Sequence, residues 1–180
     1  SKGCESCHRT KPEDTPGPLL GGYGSVAYIE AFMRDPDAEG RFGETVLEGG
    51  MEAFEGSDKD LRDLVDWLFS LSDRRPENSP TAEGLRRGAE LFVSEDCSDC
   101  HNPPDRDPLH EEWEHDAIGP DLNGFMSFEW TRRLILEAGH PAYFGDAIEE
   151  EDLSRAMPSY GDDLRPEELD LLTQWLLAGA

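Results

Sequence analysis

All four cysteines of this chain stand in one five-residue pattern used twice, Cys4-Glu-Ser-Cys7-His8 and Cys97-Ser-Asp-Cys100-His101. No cysteine is left for another role. Paired Cys-x-x-Cys can hold zinc, but a zinc ribbon has no need of a histidine directly after the second cysteine, and adjacent side chains rarely ligate one ion together. A Cys-x-x-Cys disulfide of the thioredoxin kind belongs to a βαβ context, and the chain has no strand-like run. What fits both copies is covalent attachment of a c-type haem, with two thioether-forming cysteines followed by a histidine placed to become an axial ligand of the iron. Two haems c are expected, one per motif.

The rest of the sequence repeats along with the motifs. Gly17-Pro-Leu-Leu-Gly-Gly-Tyr-Gly-Ser-Val-Ala-Tyr aligns without gaps with Gly119-Pro-Asp-Leu-Asn-Gly-Phe-Met-Ser-Phe-Glu-Trp, and the register holds to Phe42 against Phe144. After short insertions Met51 and Phe54 align with Met157 and Tyr160, and Trp67 aligns with Trp175. Two copies of one domain are therefore expected, residues 1–76 and 82–180. A linker at 77–81 falls within Arg75-Pro-Glu-Asn-Ser-Pro-Thr81, a stretch rich in turn formers. A chain of 180 residues suits two such small domains. Each would bury little apolar surface alone, and a covalent haem would supply part of its core.

Within each copy the pattern is helix and loop. Ser57 with Asp60 caps a helix whose Leu61, Leu64, Val65, Leu68 and Leu71 share one face. Its counterpart starts near Pro166, with Glu167 and Glu168 in the first turn. Helices are also expected from Ser25, stopped by Pro36, and from Ser127. A further helix over about residues 82–94 leads into Cys97; the first copy starts too late to contain its equivalent. Sequence upstream of Ser1 is therefore expected, carrying that helix and a signal or anchor, because this haem attachment is made outside the cytoplasm. Within the chain no apolar run approaches the roughly 20 residues of a membrane helix, and no signal peptide is present.

The order of Cys-x-x-Cys-His, Gly-Pro-x-Leu loop, middle helix, methionine loop and closing helix resembles the class I cytochromes c, twice over. The resemblance implies an all-α chain of two tandem class I cytochrome c domains, each wrapped around one haem. It also implies that the carbonyls of Pro18 and Pro120 accept a hydrogen bond from His8 and His101, fixing each ring. The sixth ligands it implies are Met51 and Met157, which the repeat aligns with each other; Met33 and Met126 have no methionine counterpart and read as packing residues. Glu52 stands where the family usually has the proline that Pro158 supplies. His140 is a rival ligand that reads as a loop histidine. His110-Glu-Glu-Trp-Glu-His115 has one residue too many for the zinc-protease pattern, so a helix would turn its two histidines apart, and it reads as an acidic loop.

With histidine below and methionine above, an iron has no open position, so the chain is expected to carry electrons and not to be an enzyme by itself. Gly-x-x-Ser, Arg-Asp-Pro and Phe-Gly also look like the c-type domains of bacterial cytochrome bc quinol oxidoreductases. That likeness implies a respiratory-complex subunit at the periplasmic or outer face of the cytoplasmic membrane, passing electrons to a soluble cytochrome or oxidase. The alternatives are a free periplasmic dihaem shuttle and a dihaem peroxidase, which would need one open haem. Charge adds that the partner should be basic. The chain has 41 acidic against 16 basic residues, which excludes nucleic acid and favours docking with a basic redox protein, unless the acidity serves only solubility or salt adaptation.

Overall fold

The computed structural model describes residues 3–9, 17–43, 45–72, 79–102, 118–144, 147–149, 152 and 156–179. Its elements are α1 (Cys4–Cys7), α2 (Val26–Arg34), α3 (Asp58–Ser70), α4 (Ala82–Ser94), α5 (Cys97–Cys100), α6 (Phe128–Leu136) and α7 (Pro166–Leu177), with no strand among the described residues. The fold is helical, as the sequence implies. Four helices begin on hydroxyl caps: Ser25, Ser57, Thr81 and Ser127 accept from the backbone N–H of Tyr28, Asp60, Gly84 and Trp130. Each such cap contributes about 1 kcal/mol. α2 stops at Arg34, since Asp35 precedes Pro36 and is barred from helical backbone. α7 opens with proline in its first position, while the Glu168 carboxylate accepts from the Arg165 N–H at 3.1 Å.

Loop hydrogen bonds recur at positions that the repeat aligns. The Leu19 N–H donates to Gly40 O at 2.8 Å, and the Asp121 N–H to Ala142 O at 2.9 Å. The Tyr28 hydroxyl donates to Leu19 O at 3.0 Å, and the Trp130 indole N–H to Asp121 O at 2.7 Å. The Phe54 N–H donates to Met33 O, and the Tyr160 N–H to Ile135 O. One loop architecture is thus built twice, from different side chains. In the first copy Arg34 reinforces it by donating to Phe54 O and Gly56 O at 2.8 and 2.6 Å.

Core packing crosses the midpoint of the sequence. The most extensive helix pair is α3 with α4, followed by α6 with α7 and α2 with α3; no Cα of α4 comes within 8 Å of one in α7. Gly88 makes the α3–α4 approach possible, because a Cβ there would lie 2.2 Å from Asp63 O and 2.6 Å from Trp67 Cβ. Beside it the Trp67 and Phe92 rings pack with centroids 5.0 Å apart, and Arg87 pairs with Asp60 and, at 3.5 Å, with Asp63. The larger core gathers α2 and α3 with Phe92, Leu122 and Met126; the smaller one gathers Ile135, Leu169 and Leu176 with Leu20 and Tyr23.

One buried group opposes this packing. Asp66, on α3, is 6 % exposed, and its Oδ1 has no hydrogen-bond partner among the described residues. Burial pushes its carboxyl above the usual range; Arg62 opposes the shift, and Asp63 and Glu30 add to it. On raising the pH the unfolded chain releases this proton first, so stability falls between the unfolded and the raised folded pKa, and the full penalty remains above both. Asp66→Asn is expected to remove that loss, leaving the chain about 1 kcal/mol more stable at neutral pH and no different at pH values below both pKa values. Urea titrations of both proteins across this range check it; an equal difference at every pH would contradict the assignment.

Candidate functional site

Each Cys-x-x-Cys-His motif folds as one helical turn followed by an extended histidine. The turns open on left-handed residues, Gly3 at φ 80° and Asp96 at φ 57°, the second an aspartate that tolerates this backbone through its short polar side chain. Within a turn the cysteines are three positions apart and share one side. None of the four thiols is bridged to another. The histidine N–H closes the turn on the first cysteine's carbonyl, at 2.8 Å for His8 and 2.9 Å for His101. Both histidines then have extended backbone, which turns the imidazole out of the helical turn.

The two rings are held identically. His8 Nδ1 lies 2.8 Å from Pro18 O, and His101 Nδ1 lies 2.8 Å from Pro120 O. A carbonyl can only accept, so Nδ1 carries the proton in both rings and Nε2 keeps its lone pair. That is the nitrogen a metal would take, and the carbonyl increases its basicity. Burial holds the His101 pKa below the ordinary value, outweighing the Pro120 bond, so this ring stays neutral. Burial likewise pushes the Cys97 thiol up.

Gly17 and Gly119 complete the cradle, and their part is not evident from Gly-Pro as a sequence pattern. A Cβ on Gly119 would stand 2.8 Å from His101 Cε1 and 2.9 Å from Cys100 O; one on Gly17 would stand 2.8 Å from Cys7 O and 3.1 Å from His8 Cε1. Only a residue without a side chain lets the proline carbonyl reach the ring. Asn102 is a second residue missed by sequence reasoning: it is 6 % exposed, follows His101 directly, and its Nδ2 has no partner among the described residues. The first copy has Arg9 at this position, so the repeat gives no signal for it.

The methionines separate by environment. Met33 and Met126 are buried core residues, while Met51 and Met157 are half-buried at the margins of the two cores. Met51 and Cys97 pack against the larger core, and Met157, Leu20 and Tyr160 against the smaller one. Tyr160 stands near Cys4 and Cys7, and its pKa is raised by burial first, then by these two thiols. His140 is exposed, and its Nδ1 accepts from the Ala142 N–H at 3.1 Å. The stretch from His110 to His115 lies outside the described residues.

These features suit a covalent haem: two free thiols on one turn, an adjacent imidazole with its lone pair at Nε2, and a glycine-lined contact that no side chain could share. A family model described as cytochrome c oxidase, cbb3-type, subunit III matches residues 83–176. The match begins in α4 and includes Cys97, Cys100, His101, Pro120 and Met157. No curated protein and no solved structure matches the chain.

Proposed function

From the premise that this chain belongs to the cbb3-type subunit III family of class I c-type cytochrome domains, whose covalent haem c transfers electrons, we propose that it carries two such haems. Cys4 and Cys7 would hold one and Cys97 and Cys100 the other, with His8, His101, Met51 and Met157 as axial ligands. The observation behind the count of two is the matched pair of 2.8 Å contacts from His8 to Pro18 O and from His101 to Pro120 O. When bound, the group supplies a one-electron change at iron. The chain's part would be to present Nε2 from rings held by Pro18 O and Pro120 O and to offer the Met51 and Met157 thioethers as further ligands. A fixed ligand set would keep the rearrangement on electron transfer small.

Met51→Ala and Met157→Ala test the reading. Each is expected to remove about half of the sulfur-to-iron charge-transfer absorption of the oxidised protein and to open one iron to carbon monoxide when reduced. Unchanged spectra in both variants would sink the ligand assignment. Rapid carbon monoxide binding by the unaltered protein would favour the peroxidase alternative.

The setting we favour is a subunit or domain of a bc-type quinol:cytochrome c oxidoreductase, outside the cytoplasm, delivering electrons to a basic soluble cytochrome or an oxidase. It rests on the Gly-x-x-Ser and Arg-Asp-Pro likeness and on the 41 acidic residues. The family description favours a second setting, an oxidase complex. Isolation from native membranes separates them. Co-purification with a quinol-oxidising core supports the first, with an oxidase core the second, and recovery free of both supports a shuttle. No helix among the described residues is long and apolar enough to cross a membrane.

A further inference from the structure

We propose that the two haem sites are assembled crosswise, His101 facing Met51 and His8 facing Met157, so that each site takes its histidine side from one half of the sequence and its methionine side from the other. The inference rests on the His/Met reading above and changes its pairing, since sequence order alone would join His8 to Met51 and His101 to Met157.

Independent observations converge on it. Cys97 and Met51 pack against the same core, which also contains Leu122 of the loop after Pro120. Met157 and Tyr160 pack with Leu20 of the loop after Pro18, and Tyr160 stands near Cys4 and Cys7. α4, the helix that leads into Cys97, lies along α3, the helix that follows Met51, and has no Cα within 8 Å of α7. The repeat supplies an internal control. Trp67 on α3 is covered by Phe92 of α4, whereas its counterpart Trp175 on α7 is 48 % exposed, with Leu171 beside it at 67 %. An in-order domain would lay α4 over that bare face. The equivalent residues Phe42 and Phe144 meet with ring centroids 6.2 Å apart, so the corresponding loops of the two halves lie side by side.

Single-motif proteins decide the pairing. With Cys4→Ser and Cys7→Ser, the remaining haem is bound at Cys97 and Cys100. Met51→Ala in this background is expected to abolish the charge-transfer absorption, and Met157→Ala to leave it intact. In the reciprocal Cys97→Ser, Cys100→Ser background the two outcomes exchange. Loss on Met157→Ala in the first background, with retention on Met51→Ala, would overturn the crossed pairing and leave the His/Met reading standing. Indifference to both methionines in both backgrounds would instead remove that underlying reading, and the pairing with it. A second measurement keeps all cysteines and needs no variant ligand. A protease site inserted at residues 77–81 is cut in the native protein, and the crossed halves are expected to elute as one particle in gel filtration. Separation into two folded halves would overturn the proposal.

Discussion

Gly88→Ala is expected to lower the folding stability by about 2 kcal/mol and the melting temperature by several degrees. Two effects compete in this substitution. Alanine is favoured over glycine within a helix by about 1 kcal/mol. Against this, the new methyl would sit 2.2 Å from Asp63 O and 2.6 Å from Trp67 Cβ. A backbone carbonyl in the middle of α3 cannot swing aside, so α4 must lift, and the Trp67–Phe92 contact with it. Overpacking of this kind costs about 1–3 kcal/mol and occasionally more; here the rigid neighbour puts it at the upper end, where it outweighs propensity. Gly139→Ala serves as the control, because a Cβ there meets nothing within 4 Å. Thermal melts of both variants check the comparison, and equal melting temperatures would show that α3 and α4 are not closely apposed.

Gly119→Ala is expected to have the largest effect on the site itself, weakening ligation by His101, the axial histidine proposed for the second motif, about 10- to 100-fold. The added carbon would lie within 2.9 Å of Cys100 O, His101 Cε1 and His101 Nδ1. The carbonyl belongs to the turn that holds both cysteines, so the ring is what yields, and its bond to Pro120 O is lost. The expected readout is loss of about half of the low-spin haem signal in electron paramagnetic resonance, one centre out of the two proposed. Pro120→Ala separates the carbonyl from the pyrrolidine ring. It keeps the acceptor and is expected to change the signal far less than Gly119→Ala. Equal effects would mean that the proline ring, and not the carbonyl contact, sets the geometry.

Much of this was legible in the sequence because it is local. Cys-x-x-Cys-His defines one turn and the residue after it, and hydroxyl caps with apolar spacing mark the starts of α2, α3, α4 and α6 to within a residue or two. The bond from His101 to Pro120 O could be anticipated from resemblance, although it spans residues that include an insertion. Packing was harder to read. Leu61, Leu64 and Val65 announce that one face of α3 is buried, but not that α4 covers another, since every closing helix with a Trp looks alike until its neighbour is known. Trp67 and Trp175 align in the repeat and differ in surroundings for that reason. Gly88 reads in sequence as a weak point in a helix; only the crossing shows it to be the place where two backbones meet. Asp66 gives no sign in sequence of being buried, because an aspartate on a helix ordinarily faces solvent.

The way the two cores draw on the chain also sets the order in which they can be finished. The larger core is complete in its buried residues once Met126 has been made, and its central α3–α4 pair joins neighbours in sequence, which close quickly. The smaller core needs Leu20 and Leu176 together, so Cys4 and Leu20 must wait for nearly the whole chain before Tyr160 and α7 arrive. The motif synthesised first is therefore the one enclosed last, and for most of its biogenesis its thiols would be open to any machinery that attached the haem proposed there.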